Sequence, residues 1–182
     1  MVMQPVAVPV QAVLLALVLT AAVYDSRFRR IPNWLVLAGW VTGFVLHSVL
    51  GGWAGFKLAA GGFGLAFGIY FVLYLLHFQF AGDVKLMGAV GTLLGAQNWF
   101  VVFIFTALAG GLLALIVVLS AGRLRRTLWN VGYIIRELLS FRAPYMHRDE
   151  VDVRSEKSLK LPHAVSIAAG TIAFLVYLRW TE

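Results

Sequence analysis

The sequence predicts an all-α fold: a polytopic membrane protein of six transmembrane helices, both termini outside, with one cytoplasmic amphipathic segment between helices five and six. Three observations predict it. The 182 residues are 61% hydrophobic and only 13% charged, whereas a soluble domain is roughly 45–50% apolar. The charges leave uncharged runs over 1–24, 31–56, 58–82, 86–122 and 161–178, each long enough for at least one crossing at about 1.5 Å per residue. The basic residues form clusters that six crossings bring to one side. Low charge and 14% aromatic content exclude intrinsic disorder. The absence of cysteine excludes a disulfide framework, a Cys-ligated zinc site and a thiol nucleophile.

The first span covers 5–23. Its run lacks the basic n-region of a secretory signal, so it reads as a retained helix. Arg27, Arg29 and Arg30 follow it, and Pro32, pre-set for a first helical turn, opens the second span at 33–50. The third span is 55–77. The run 86–122 is too long for one crossing, and Gly95-Ala96-Gln97-Asn98-Trp99 inside it reads as a tight interfacial turn. That divides it into spans at 84–96 and 100–121. Two crossings here, not one, put Lys85 on the same side as Arg27–Arg30 and the basic segment opened by Arg123, Arg125 and Arg126. By this count 13 of the 15 basic residues are cytoplasmic, leaving Lys57 and Arg179 outside. The +7 balance therefore reports orientation, and no nucleic-acid partner is expected.

Span four is short and must tilt, thin the bilayer or be shielded by neighbours. Trp53, Trp99 and Trp180 are expected at the outer interface and Trp34 at the inner one. The spacings Gly64-x-x-x-Gly68 and Gly91-x-x-x-Gly95 suit close helix packing, or express the ordinary glycine enrichment of membrane helices. In the cytoplasmic segment 122–160, Leu128, Val131, Ile135, Leu138 and Leu139 recur at helical spacing, flanked by Arg126 and Arg136. They predict an amphipathic helix on the anionic inner leaflet. The stretch 144–158 reads as a charged loop, and the last span is 162–180. The whole chain, 1–182, reads as a single integral membrane domain.

The acids are the informative minority: before residue 137 there are only Asp25 and Asp83. Ionisable groups at membrane depth are costly and tend to be functional. Both fall at the cytoplasmic end of a span. Two carboxylates sharing a site cannot both ionise easily, so one keeps a proton. The ionised one then takes a proton from water while the other donates toward a substrate carbonyl, with no thiol, serine or metal. Other readings stand beside this one. Asp25 ends span one and pairs with Arg27, Arg29 or Arg30; Asp83 N-caps span four with Val84 as the first helical residue. A small proton-coupled transporter or channel would use the same two aspartates, and a non-catalytic assembly subunit is a third possibility. His47, His77, His147 and His163 show no metal-ligand spacing and are assigned structural or interfacial roles. Lys85, two residues from Asp83, does not share its helix face and is expected to reach lipid head groups.

Around these acids the sequence resembles the type IV prepilin peptidases. Asp25-Ser-Arg-Phe-Arg-Arg-Ile31-Pro32-Asn33 is similar to their first signature, an Asp and a short basic stretch before Ile-Pro-Asn. Phe80-Ala81-Gly82-Asp83-Val84-Lys85-Leu86-Met87-Gly88 resembles their second, Gly-x-Gly-Asp followed by Val/Met-Lys-Leu. Leu161-Pro162-His163-Ala164-Val165-Ser166-Ile167-Ala168-Ala169-Gly170 is similar to the Pro-Tyr-Gly-x-Ala-Ile-Ala-x-Gly stretch of their last span. Two departures are evident: Phe80 replaces the first motif glycine, and His163-Ala164 replaces Tyr-Gly.

The resemblance implies a GxGD-type intramembrane aspartyl protease that cuts the basic leader from prepilins or pseudopilins at the cytoplasmic border of the bacterial inner membrane. It carries Asp25 and Asp83 over as the catalytic pair, with no cofactor and no metal. Gly82, Asn33, Lys85 and Pro162 become the substrate-binding or site-shaping candidates. Gly82 either lets substrate backbone approach Asp83 or serves helix packing; Asn33 either hydrogen-bonds near the site or helps start its helix. Larger members carry a Cys-x-x-Cys domain. The lack of cysteine suggests the compact Tad/Flp-type branch, with Flp-like prepilins as substrates. The basic leader is not attracted by this basic surface. Anionic lipid, the aspartates, or packing of the substrate must supply recognition.

Overall fold

The computed structural model describes residues 3–140 and 162–181. All regular structure there is helical: α1 (Val8–Phe28), α2 (Asn33–Leu75), α3 (Ala81–Ser120), α4 (Leu124–Leu139) and α5 (His163–Thr181). Helices α1, α2, α3 and α5 are long and apolar enough to cross a membrane. The predicted loop at 144–158 and His147 lie outside the described residues.

Helix α1 carries Pro9 in its first turn, where no backbone donor is lost. It buries Val10, Leu14, Leu17, Val18 and Ala21, one face at helical spacing. It runs beyond the predicted end at 23 and stops where Arg29 turns left-handed (φ 53°). Asp25 is therefore inside the last turns of the helix, not after it.

The 43 residues of α2 and the 40 of α3 would each extend about 60 Å if straight, twice the hydrocarbon thickness. Both are instead broken at one glycine: Gly52 (φ 55°, ψ −137°) and Gly95 (φ 73°, ψ 168°). Such angles suit only a residue without a Cβ. At the first break the chain doubles back, so closely that a Cβ on Gly55 would overlap the His47 carbonyl. On a straight helix these two residues would stand about 12 Å apart. At the second break, Gly91 meets Gly62 and Gly95 meets Leu58, but Trp99 and Phe103 return to Tyr70. Each long helix is thus a hairpin of two arms. The predicted five-residue turn at 95–99 is tighter than expected, with helix resuming directly after Gly95.

The first arm of α3 (81–94) is the centre of the molecule. Leu86 through Leu94 are all buried. The first arm of α2 runs parallel to it, with Gly39 against Ala89 and Gly43 against Thr92. The second arm runs antiparallel, with Gly62 against Gly91 and Phe63 against Gly88. Neighbours shield the short span four, as one of the three expected accommodations requires. Helix α5 packs on the second arm of α3, where a Cβ on Gly170 would strike the Thr106 backbone.

Several expectations change. Trp99 is not in an interfacial belt but fully buried against Tyr70 and Phe103, whereas Trp34, Trp53 and Trp180 are exposed. Gly91 and Gly95 do close a helix contact, but a Cβ on Gly64 or Gly68 would meet nothing. The last helix starts at His163, with Pro162 just before it. The predicted amphipathic helix is present as α4, and among the described elements it touches only α3. Its Leu128, Val131, Ile135 and Leu139 are exposed.

Candidate active site

Asp83 sits at the third position of α3, not at its N-cap as expected. Phe80 is the N-cap, and Asp83 Oδ2 reaches back to accept the Phe80 N–H at 3.2 Å. This is one half of a capping box, in which the third residue's carboxylate satisfies an orphan amide. The carboxylate is only 3% exposed. Phe80 in place of the motif glycine does not disturb this arrangement. Its φ of −91° is open to any residue, and the amide that serves Asp83 belongs to the backbone.

Asp25 comes from the other side, on α1, and is half-buried. Its Oδ2 accepts the Ala164 N–H at 3.1 Å, across the bundle from the first turn of α5. That amide is one of the orphan donors at a helix start, where negative charge is favoured. A cavity of about 430 Å³ opens between these elements, lined by both Asp25 and Asp83. Residues far apart in sequence thus face one space, because α1 and the first arm of α3 both present this end to it.

Three of the other four predicted residues line the same cavity: Gly82, Asn33 and Lys85. Lys85 has a partner on another helix. Its Nζ donates to Asn33 Oδ1 at 3.1 Å, and the Trp40 indole N–H donates to the Lys85 carbonyl at 3.1 Å. Together they tie the start of α2 to the start of α3. A Cβ on Gly82 would lie 3.5 Å from Ile31, an ordinary contact, so this glycine is not required for helix packing. Pro162 does not line the cavity; its carbonyl accepts the Val165 N–H at the start of α5.

Sequence reasoning missed His163, Arg29, Arg30 and Phe80, which also line the cavity. The arginines were read as orientation signals or as ion-pair partners of Asp25, not as the lining of a site. His163 carried a faint signal, since it falls in the third signature-like stretch, but nothing in its spacing pointed to the site.

The fold and the cavity define an integral membrane protein with paired acids and several cations at one end of its helix bundle. The type IV leader peptidase family matches residues 12–115, more than half of the chain and a stretch holding both aspartates. The chain belongs to that family and is a peptidase, which sets aside the transporter alternative. No curated protein and no solved structure matches it.

Proposed function

We propose that this peptidase is an aspartic endopeptidase that removes the basic leader from type IV prepilins or pseudopilins of the Flp-like kind. The observation that carries the reading is that Asp25 and Asp83, the only acids before residue 137, line one cavity. Water enters between the two carboxyl groups. The ionised one accepts a proton from it as its oxygen attacks the scissile carbonyl, while the protonated one donates to the carbonyl oxygen. Collapse of the tetrahedral intermediate transfers a proton to the leaving amine and frees the leader. Rate against pH would report apparent constants of the pair, not of either residue.

The same reading has six crossings, the arms of α2 and α3 counting separately, with both termini outside. Arg27, Arg29, Arg30, Lys85 and Arg123 all fall at the aspartate end of the bundle, which the positive-inside rule puts in the cytoplasm. The peptide bond is then cut at the inner border of the bacterial cytoplasmic membrane, where water is available and the apolar pilin helix stays in lipid. Gly82 leaves room beside Asp83 for an extended substrate backbone.

The test is leader removal from a full-length prepilin in vesicles. Asp25→Asn and Asp83→Asn should each lower turnover by about 10²–10⁴-fold, the usual worth of a general acid or base. Turnover at the wild-type rate by either folded variant overturns the reading.

Membrane lipid is the second partner in this proposal, with α4 lying on the anionic leaflet. Its apolar face (Leu128, Val131, Ile135, Leu139) is exposed, and Arg123, Arg125 and Arg136 are placed to meet lipid phosphates. The chain has no cysteine, so a single one at Ile135 or at Arg136 can be spin-labelled uniquely. In anionic vesicles the Ile135 label should be reached by oxygen and the Arg136 label by an aqueous nickel complex. Equal aqueous exposure of both would remove α4 from the membrane.

A further inference from the structure

The two aspartates are joined by more than a common cavity. His163 and Ala164 are the first two residues of α5, and each holds one side of the site. The Ala164 N–H donates to Asp25 Oδ2 at 3.1 Å. The His163 imidazole turns to the opposite wall. Its Nε2 accepts from the Gln79 side-chain amide at 3.1 Å. Gln79 immediately precedes Phe80, and the Phe80 N–H is the donor to Asp83 Oδ2 at 3.2 Å. A chain of contacts therefore runs from Asp25 through Ala164, His163, Gln79 and Phe80 to Asp83.

This chain starts from a fixed point. Gly170 is in backbone contact with Thr106, and Ala164, Ser166, Ile167 and Ala168 are buried, so the start of α5 cannot shift without unpacking the helix. The imidazole is also backed by the buried Tyr70, with ring centroids 6.3 Å apart. The segment it holds is different in kind. Residues 76–80 lie between two helices, and His77 in their midst is left-handed (φ 62°). Backbone bonds stabilise the exit from α2, with Phe78 N–H donating to the Leu73 carbonyl at 2.9 Å. The Gln79 amide connects the far end of this segment to α5.

We infer that His163 is a positioning residue for the aspartate pair: through Gln79 it fixes the segment that orients Asp83 against the helix start that holds Asp25. The inference rests on the aspartic reading above. A reacting group displaced by about 1 Å costs on the order of 10²-fold in rate, so loosening this link should slow chemistry more than binding.

The experiment is steady-state leader removal by wild type, His163→Ala, Gln79→Ala, the double variant and His163→Gln, each with its thermal midpoint. His163→Ala and Gln79→Ala should each lower kcat by about 10- to 100-fold with KM within about twofold. The double variant should be no slower than the slower single, because both break one link. His163→Gln, whose amide can reach the position of Nε2, should recover most of kcat. Should His163→Ala not fold, Gln79→Ala alone carries the test, since it removes the same contact from the loop side. Losses that multiply, a change confined to KM, or a kcat loss tracking the thermal midpoint with no recovery in His163→Gln would overturn the inference. Asp83→Asn separates the two failures. If it is inactive while His163→Ala and Gln79→Ala run at the wild-type rate, only the positioning role falls. If it turns over normally, the aspartic reading falls, and the positioning role with it.

Discussion

The two ends of the bundle each hold a cavity, of about 430 Å³ at the aspartate end and about 330 Å³ at the other. They lie about 30 Å apart, the length of α1. At the far end the polar groups look inward to the protein's own backbone. Asn98 donates to the Gln4 carbonyl at 2.9 Å and accepts the Gln4 N–H at 3.2 Å, clamping the segment before α1. The His47 Nε2 donates to the Leu93 carbonyl at 2.8 Å, beside the break at Gly95. At the aspartate end, Asp25, Asp83, Arg29, Arg30 and Lys85 all border the space. Cavity size does not tell the two apart. One end uses polarity to close breaks in helices, while the other assembles ionisable groups around an opening.

That contrast can be broken by three substitutions. The largest effect is expected from Asp83→Asn, a loss of about 10²–10⁴-fold in leader removal with the thermal midpoint kept. Next is Asn98→Ala at the other end. It removes both bonds to Gln4 and should lower unfolding stability by about 1–3 kcal/mol, read by denaturation in detergent, while turnover of the folded fraction stays unchanged. A turnover loss there would show that the two ends are coupled. The smallest is Gly82→Ala. The added methyl meets Ile31 at an ordinary distance, so stability should not move. The methyl narrows the approach to Asp83 and should raise KM by about tenfold, equivalent to about 1.4 kcal/mol. An unchanged KM would remove Gly82 from the substrate path.

The resemblance and the acids were visible in the sequence for one physical reason. A charged group in an apolar chain is expensive, so few are retained and each stands out. Asp25 and Asp83 could be selected without coordinates, as could Gly82, Asn33 and Lys85 from their neighbours in the motifs. The contact of Lys85 with Asn33 was not legible because Asn33 lies on another helix, and i to i+2 spacing describes only its own. The helix start before Asp83 was misplaced by three residues, since a carboxylate suits either position: at the cap it accepts from the second or third helical amide, at the third position from the amide of the cap residue.

What the sequence by itself determined is the helical class, the positions of the apolar segments, the amphipathic α4 and the two acids. Each depends on local composition and period, which water and lipid read residue by residue. Only the tertiary structure decided which apolar faces are core. Lipid tails are as apolar as leucine, so a side chain bound for lipid and one bound for the interior look alike in sequence. Hence Trp99 was assigned to an interface although it is buried, and Gly64 and Gly68 were weighed equally with Gly91 and Gly95. The same limit hid His163. Its place between Gln79 and Tyr70 is made by helices that meet only once the two hairpins and α5 have packed.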